Sequence, residues 1–176
     1  TNNAPLVDEA QMIEAARFMQ KQELYFNGAI TDRSNVRQLV TDLAPNFLCN
    51  FIVSDGKFSL KPAVPFYPAS GAMNDGPIPI EQLFTSGNIL EDSFKVEYLS
   101  SEERRSFKAV VRYRQEQKNK FPEEKSIEVT LVDTIADDPS INLLPQEQFD
   151  LTAFCTSQHH AEMVAKYFLS LRKLVR

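Results

Sequence analysis

The segment over residues 61–79 most constrains how this chain can fold, because five prolines interrupt it. They are Pro62, Pro65, Pro68, Pro77 and Pro79, with Gly71 and Gly76 between them. Proline has no amide N–H and a fixed φ, so this segment cannot form a helix or a central strand. We expect residues 63–79 to form an arm that either connects the two flanking parts of the chain or wraps around a neighbouring molecule. The chain is then one domain over 1–176, or two packed subdomains at 1–62 and 80–176.

Before this arm, the apolar spacing predicts two helices, a strand and a hairpin. The first helix covers residues 8–22, the strand covers 24–30, and the second helix starts at a Ser34 cap, stops before Pro45 and covers a sheet. Asp55-Gly56 predicts a tight hairpin turn, because a type I′ turn needs positive φ at both positions. The apolar faces are Met12, Ala15, Ala16 and Met19 in the first helix, and Val36, Leu39, Val40 and Leu43 in the second.

After the arm, alternation of apolar and polar residues predicts three strands. Their apolar positions are Phe94, Val96 and Tyr98, then Ala109, Val111 and Tyr113, then Ile127, Val129 and Leu131. A polar connection over 100–106 suits a hairpin tip, and Pro79 can open a short helix over 80–84. The predicted fold class is α+β, an antiparallel β-sheet or partly closed barrel with covering helices.

The chain closes with a helix that is predicted to begin after Thr156 or Ser157. Its expected buried face is Ala161, Val164, Ala165, Phe168, Leu171 and Val175, with Arg172, Lys173 and Arg176 near its negative end. We expect Phe168→Asp to abolish soluble folding, and unchanged thermal stability would contradict this docking.

Composition excludes several classes. The chain of 176 residues has 43% hydrophobic residues and a net charge of −5, which fits a globular domain and disfavours a duplex-binding surface. No apolar run is long enough to span a bilayer and no secretion signal is evident, so stable membrane insertion is not expected. Cys49 and Cys155 are expected to be free thiols.

Each candidate for metal or acid–base chemistry has a plainer alternative. Cys155 and His159 are four residues apart and can share a helical face, but a tight metal site needs three or four ligands. The alternative is that Cys155 packs as an apolar residue while His159 and His160 lie in a polar first turn. An acidic loop with oxygens suited to calcium lacks the spacing of an EF-hand. Its members are Asp133, Asp137, Asp138 and Asn142.

Neither catalysis nor nucleic-acid binding has a strong signal. The pairs Glu102-Glu103 and Glu123-Glu124 do not give the separated carboxylates of a glycosidase, and no phosphate-binding glycine loop or nucleophile elbow is present. Cations near two aromatic residues suggest a single-strand site, which neighbouring glutamates weaken. These cations are Arg104, Arg105, Arg112, Arg114, Lys118 and Lys120, near Tyr113 and Phe121. We expect no catalytic, cofactor-binding or metal-binding residues, and no nucleic acid.

Four blocks of the sequence resemble one known family. They are residues 36–62, residues 83–99 with Asn88-Ile89-Leu90-Glu91-Asp92-Ser93-Phe94, residues 107–114, and residues 149–172 with Phe149-Asp150-Leu151-Thr152 and Cys155-Thr156-Ser157. This pattern looks like the middle hub region of phage tail-tip attachment, or host-specificity, proteins. Its motifs are hydrophobic and structural rather than catalytic.

The resemblance implies a structural part of a phage or prophage tail tip, a hub that links the tail tube to the central fibre. It implies a homotrimer in the full-length assembly, other tail-tip and tail-tube proteins as partners, and location in the virion tail, or in the host cytoplasm during assembly. The chain would be a fragment of a longer one, and deleting residues 63–76 would leave the fold intact but prevent tail assembly. The alternative is a tail-associated carbohydrate-degrading enzyme domain.

Overall fold

In the part of the chain that the structure describes, three α-helices and two small sheets form an α+β fold, as predicted. The computed structural model describes residues 6–31, 35–74, 76–77, 83–85, 87–90, 93, 95, 100, 107–117, 120–130 and 144–174. In chain order the elements are α1 (Glu9–Lys21), α2 (Val36–Leu43), a 3₁₀ turn (Ala44–Phe47), β1 (Cys49–Ser54), β2 (Lys57–Pro62), β3 (Lys108–Gln117), β4 (Lys120–Val129), β5 (Gln146–Asp150) and α3 (Gln158–Leu174).

The first predicted helix is confirmed as α1, and its ends follow from local chemistry. The Asp8 carboxylate caps the helix by accepting from the Gln11 N–H at 3.2 Å, which satisfies an amide that has no partner within the helix. Ala15 and Phe18 are the buried positions, whereas Ala16 is exposed. Met12 and Met19 are half-buried, so most of the predicted stripe faces the core and Ala16 lies outside it.

The second helix is confirmed as α2, but its cap is Asn35. The Asn35 side-chain oxygen accepts from the Arg37 N–H at 3.0 Å, while Ser34 lies outside the described residues. Pro45 ends the α-helix by starting the 3₁₀ turn, where its missing N–H costs nothing. No residue of α2 is fully buried, so this helix lies over the molecule's edge with its apolar stripe half covered.

Residues 24–30 do not form the predicted strand. The Asn27 N–H donates to the Phe154 carbonyl at 2.9 Å, and Phe26 stacks on Phe154 with ring centroids 5.8 Å apart. The segment that Phe26 and Asn27 contact is a loop rather than a strand, so residues 24–30 form no ladder of hydrogen bonds. Gly28 allows this approach, because a Cβ there would lie 2.4 Å from the Ala153 carbonyl oxygen.

The Asp55-Gly56 hairpin is confirmed. Strands β1 and β2 pair antiparallel with Ser54 opposite Lys57, and the two turn residues have φ of 51° and 74°. These positive values are those that the sequence required.

The second sheet has the strand order β4-β3-β5. Strands β3 and β4 are antiparallel, as expected, but β5 joins β3 in parallel, so this sheet is mixed and β5 was not predicted. The described residues show no closed barrel. Ala109, Val111 and Tyr113 form the buried face of β3, which confirms their predicted alternation. Apart from Lys95 and Ser100, the predicted strand at residues 94–98 and the predicted tip at 100–106 lie outside the described residues. So do residues 80–82 of the predicted helix at 80–84, and Leu131.

The proline-rich arm folds back onto its own chain over residues 63–74. The Ala63 N–H donates to the Leu48 carbonyl at 2.7 Å, and Phe66 meets Phe18 edge to face at 5.7 Å. Gly71, with φ of 70°, lies so close to α1 that a Cβ would be 2.4 Å from the Arg17 carbonyl oxygen. This packing opposes the expectation that the arm can be removed without loss of stability.

The closing helix is confirmed as α3, which packs across the mixed sheet. Ala161, Val164, Ala165 and Leu169 are buried, whereas Phe168 is half-buried and Leu171 is 38% exposed. Side chains from both sides of the proline-rich arm share this core, since Phe18 and Phe47 belong to it with Val111 and Val164. None of the described helices combines the length and apolar character needed to cross a bilayer.

Candidate interaction surface

An apolar groove opens between the end of α1, the following extended segment and the α2 region. Its volume is about 390 Å³, within the range of natural binding pockets. Among the described residues that line it, Gln20 is the one amide-bearing side chain and none is charged. The lining residues are Ala16, Met19, Gln20, Leu24, Tyr25, Phe26, Val40, Leu43, Ala44, Phe47, Cys49 and Leu60.

The groove exists because α2 does not close down on α1. The two helices are separated by residues 22–35, of which Leu24 is buried while Tyr25 and Phe26 remain exposed. Val40 and Leu43 turn toward this gap but stay half-buried. An apolar stripe that is left half covered marks a surface suited to contact with another molecule.

Cys49 forms part of the groove wall without being chemically active there. It is a fully buried free thiol, and burial raises its pKa to about 12. Since the thiolate is the nucleophilic and metal-binding form, Cys49 acts here as a small apolar side chain.

Cys155 and the two histidines occupy separate places. Cys155 precedes α3, is buried, and donates its S–H to the Ser157 carbonyl at 3.3 Å, so the apolar alternative for this residue agrees with its packing. Burial is also the main cause that raises the pKa of its thiol. His159 is exposed at the start of α3. Among the described residues, no three His, Cys, Asp or Glu side chains converge as a metal site.

His160 is a buried histidine that the sequence placed wrongly in a polar turn. It is 1% exposed, and its Nε2 lies 2.8 Å from the Asn46 carbonyl oxygen. A carbonyl can only accept, so Nε2 carries a proton in this hydrogen bond, and the neutral form of the ring is the Nε2–H tautomer. Desolvation lowers the pKa of His160, partly opposed by the hydrogen bond to Asn46. The ring therefore links α3 to the 3₁₀ turn beside the groove.

The charged residues that suggested other chemistry are paired on the outer sheet. Arg112 donates to Glu124 at 2.9 Å, and Glu123 accepts from Gln117. Tyr113 is buried, so it cannot stack on a nucleic-acid base. Arg114 and Lys120 are exposed. The other candidates of this kind lie outside the described residues: Glu102, Glu103, Arg104, Arg105, Lys118, Asp133, Asp137, Asp138 and Asn142.

A second exposed apolar feature lies on the far part of the β3–β4 hairpin. We call the described residues 115–117 and 120–126 the hairpin arm. All seven residues of its β4 part are exposed, and Phe121 is 93% exposed. The sequence suggests Phe121 as part of a single-strand site with neighbouring cations, whereas the paired strands place it beyond the core.

Comparison with known protein families, with curated proteins and with solved structures gave no match.

Proposed function

We propose that this chain is a structural component of a phage or prophage tail tip, part of the hub that links the tail tube to the central fibre. It acts by packing against other tail-tip and tail-tube proteins and against copies of itself, as a homotrimer in the full-length assembly. It has no catalytic role in this proposal.

The observation that carries the proposal is where the resembling blocks lie in space. Residues 36–62, 107–114 and 149–172 supply nearly all of one hydrophobic core. Strand β3 from one block lies beside β5, which ends in another, and α3 from that block packs over β3. Segments distant in sequence that build a single core support a resemblance in structure rather than in isolated motifs.

Exposed apolar surface also supports an assembly role. The groove and the hairpin arm both leave apolar side chains open to solvent. Surfaces of this kind are typical of contacts between proteins.

Immunogold electron microscopy tests the proposal. Antibodies raised against this chain should label the tail end distal to the head in particles released by the phage or lysogen that carries the parent gene. Val111→Asp in that gene, which introduces a charge into the core, should give particles without complete tails, whereas Val36→Ser at an exposed position should leave the titre unchanged. Normal tails with Val111→Asp, or unlabelled particles, would refute the proposal.

A further inference from the structure

Residues 24–31 form an extended segment that has no strand beside it in the described part of the chain. No turn, bend or helix interrupts the segment, and every residue after the first is exposed. The loop that precedes α3 holds one of its edges. The Asn27 N–H donates to the Phe154 carbonyl at 2.9 Å, and the Asn27 side-chain amide donates to the Thr156 hydroxyl at 2.7 Å. The segment is therefore fixed in place without a ladder of strand hydrogen bonds.

The opposite edge of this segment carries free backbone groups. In an extended chain, the N–H and C=O groups of successive residues point to alternate edges. The Asn27 N–H points to Phe154. The backbone groups of its alternate neighbours, Phe26, Gly28 and Ile30, therefore point to the opposite edge. Within the described chain these groups make no hydrogen bond, and a row of unpaired N–H and C=O groups is a template for another strand.

The composition of the segment favours strand pairing and does not prevent it. Tyrosine, phenylalanine, isoleucine and threonine favour strands, and residues 24–31 contain neither proline nor a charged residue. Proline and charged side chains usually protect an exposed edge from pairing. Tyr25, Phe26 and Ile30 are 51%, 41% and 56% exposed, so a strand paired here would also cover apolar surface.

The other strand edges of the described sheets are charged or contacted by other elements. Strand β4 carries Pro122 among closely spaced charges, and β5 carries Glu147 and Asp150. Strand β2 is bridged at Phe58 by Val7. Strand β1 is uncharged, but α2 and the 3₁₀ turn contact it. The extended segment is therefore the part of the described chain best suited to accept another strand.

The apolar groove determines which side chains such a strand needs. Leu24, Tyr25 and Phe26 line the groove, so it adjoins the extended segment. None of the described residues that line it is charged. Successive side chains of a strand point to opposite faces, so every second side chain of a paired strand lies on the face of the groove. These side chains must be apolar, because a charged group there would lose its hydration without gaining a partner.

We propose that residues 25–31 accept an extended, uncharged strand of another protein, which pairs through its backbone with Phe26, Gly28 and Ile30 and directs every second side chain, an apolar one, to the groove. Main-chain hydrogen bonds supply the affinity of such strand addition, and the groove supplies its specificity. As a contact between hub proteins the inference rests on the proposed function, whereas strand binding itself is measured on the chain alone.

Amide exchange followed by nuclear magnetic resonance tests the pairing. The probe is a synthetic heptapeptide of alternating valine and threonine, with one lysine at each end for solubility. At a peptide concentration of about ten times the dissociation constant, exchange at Phe26, Gly28 and Ile30 should slow by about tenfold, because only the unbound chain exchanges. The Asn27 amide should change little, since it is already bonded to Phe154. Unchanged exchange at the three amides would overturn the inference.

A methylated peptide separates backbone pairing from simple apolar contact. The same peptide with every amide N-methylated keeps its side chains but has no N–H to donate. It should bind at least about tenfold more weakly than the unmodified peptide. Equal binding of the two peptides would overturn the inference. This comparison uses the wild-type chain alone and so does not depend on the folding of any variant.

A charge at the open edge should block the strand. Ile30→Lys should weaken binding of the unmodified peptide by at least about tenfold, because a lysine at the edge opposes pairing. Val53→Lys, at a position of β1 that is 51% exposed, is the matched control and should bind like the wild type. Circular dichroism checks that both variants fold. Equal binding by Ile30→Lys, or loss of binding by Val53→Lys alone, would overturn the inference.

Sedimentation equilibrium without peptide identifies the competing occupant, a second copy of this chain. The wild type should stay monomeric at the concentrations used for the peptide. Self-association that Ile30→Lys abolishes would show that a second copy pairs with the segment, and would overturn the proposal of a different protein. None of these measurements uses phage particles, so failure here and failure of the tail labelling are distinguishable.

Discussion

At the scale of single residues, burial removes the reactivity that the sequence left open for its two cysteines. Cys49 and Cys155 are both buried free thiols, and burial raises the pKa of each. A thiol held in its neutral form and shielded from solvent reacts slowly with electrophiles. Both residues therefore serve the packing of the core.

We expect native protein to react slowly with a thiol-specific chromogenic disulfide, and unfolded protein to react at both cysteines. The rate in buffer should fall far below that in urea, because each thiol must be exposed before it can ionise. Ser54→Cys, at an exposed strand end, is the positive control and should add one rapidly reacting thiol. One fast thiol in the native wild type would contradict this prediction.

His160 makes the stability of the fold depend on pH. Its pKa in the folded chain lies below the ordinary value of 6.5, so the unfolded chain binds a proton more readily than the folded one. The free energy of unfolding therefore decreases as pH falls below about 6.5 and through the folded pKa.

Urea unfolding at pH 7.5 and pH 5.5 measures this effect. The wild type should lose stability between the two values, and His160→Gln should lose less because it has no ring to protonate. His159→Gln, at the exposed neighbour, serves as the control and should retain most of the wild-type dependence. If the free energy of unfolding falls by the same amount between pH 7.5 and pH 5.5 in the wild type and in His160→Gln, His160 has no such role.

Two glycines with positive φ differ in what surrounds them. Gly71 is pressed against the backbone of α1, whereas Gly56 has open space around the position of a Cβ. Gly56→Ala should therefore cost about 1–2 kcal/mol for the left-handed backbone alone. Gly71→Ala should cost about 2–5 kcal/mol, since overpacking adds to that strain. Thermal or urea unfolding of both variants checks the difference, and equal losses would contradict the close approach at Gly71.

At the scale of elements, α3 is held to the sheet by a few specific contacts. Phe168 stacks on Phe149 of β5 at 5.0 Å. Arg172 pairs with Glu147, with one N–H to Oε2 distance of 3.0 Å, and its guanidinium lies 4.1 Å from the Phe107 ring centroid. The cation therefore does more than complement the helix dipole, although partial exposure limits the ion pair to about 1 kcal/mol or less.

Leu169, and not Leu171, should dominate the packing of α3. Leu169→Ala should lower the free energy of unfolding by about 2–5 kcal/mol, because the side chain is buried and leaves a cavity. Leu171→Ala should cost less than about 1 kcal/mol, since Leu171 is partly exposed. Chemical unfolding of the two variants compares them directly, and a larger loss for Leu171→Ala would contradict the observed helix face.

The expectation that Phe168→Asp abolishes folding stays a prediction, now based on the stacking of Phe168 on Phe149.

At the scale of the whole molecule, the proline-rich arm helps to close the core. Val64, Phe66 and Met73 are partly buried against it, and the bridge between Phe66 and Met73 folds the arm into a compact loop. The sequence predicts a connecting or wrapping arm. Residues 63–74 of this arm pack against α1 of the same chain.

Replacing residues 63–74 with a Gly/Ser linker of equal length should lower the free energy of unfolding by about 3 kcal/mol or more. The linker keeps the chain connected but removes the apolar contacts that these side chains make. Calorimetry of the replacement checks this, with Tyr67→Ser, at a half-exposed position in the same loop, as the control. An unchanged melting temperature would support the original view of a dispensable arm.

Local patterns determined much of this protein without reference to its tertiary structure. The spans of α1, α2 and α3, the Asp55-Gly56 turn and the buried alternation of β3 all follow from the order of apolar, polar and turn residues. These features depend on neighbours within a few positions, so the sequence carries them in full. The assembly role and the tail-tip resemblance remain a proposal that the sequence motivated.

Only the tertiary structure decided what the partly apolar segments of the chain pack against. Residues 24–30 have the composition of a strand but lie beside a loop, β5 joined β3 in parallel, and His160 became buried in spite of its polar neighbours. The incomplete closure of α2 over α1 created the groove, and the length of the β3–β4 hairpin carried Phe121 beyond the core. Each outcome depends on contacts between residues far apart in the chain, which no local pattern encodes.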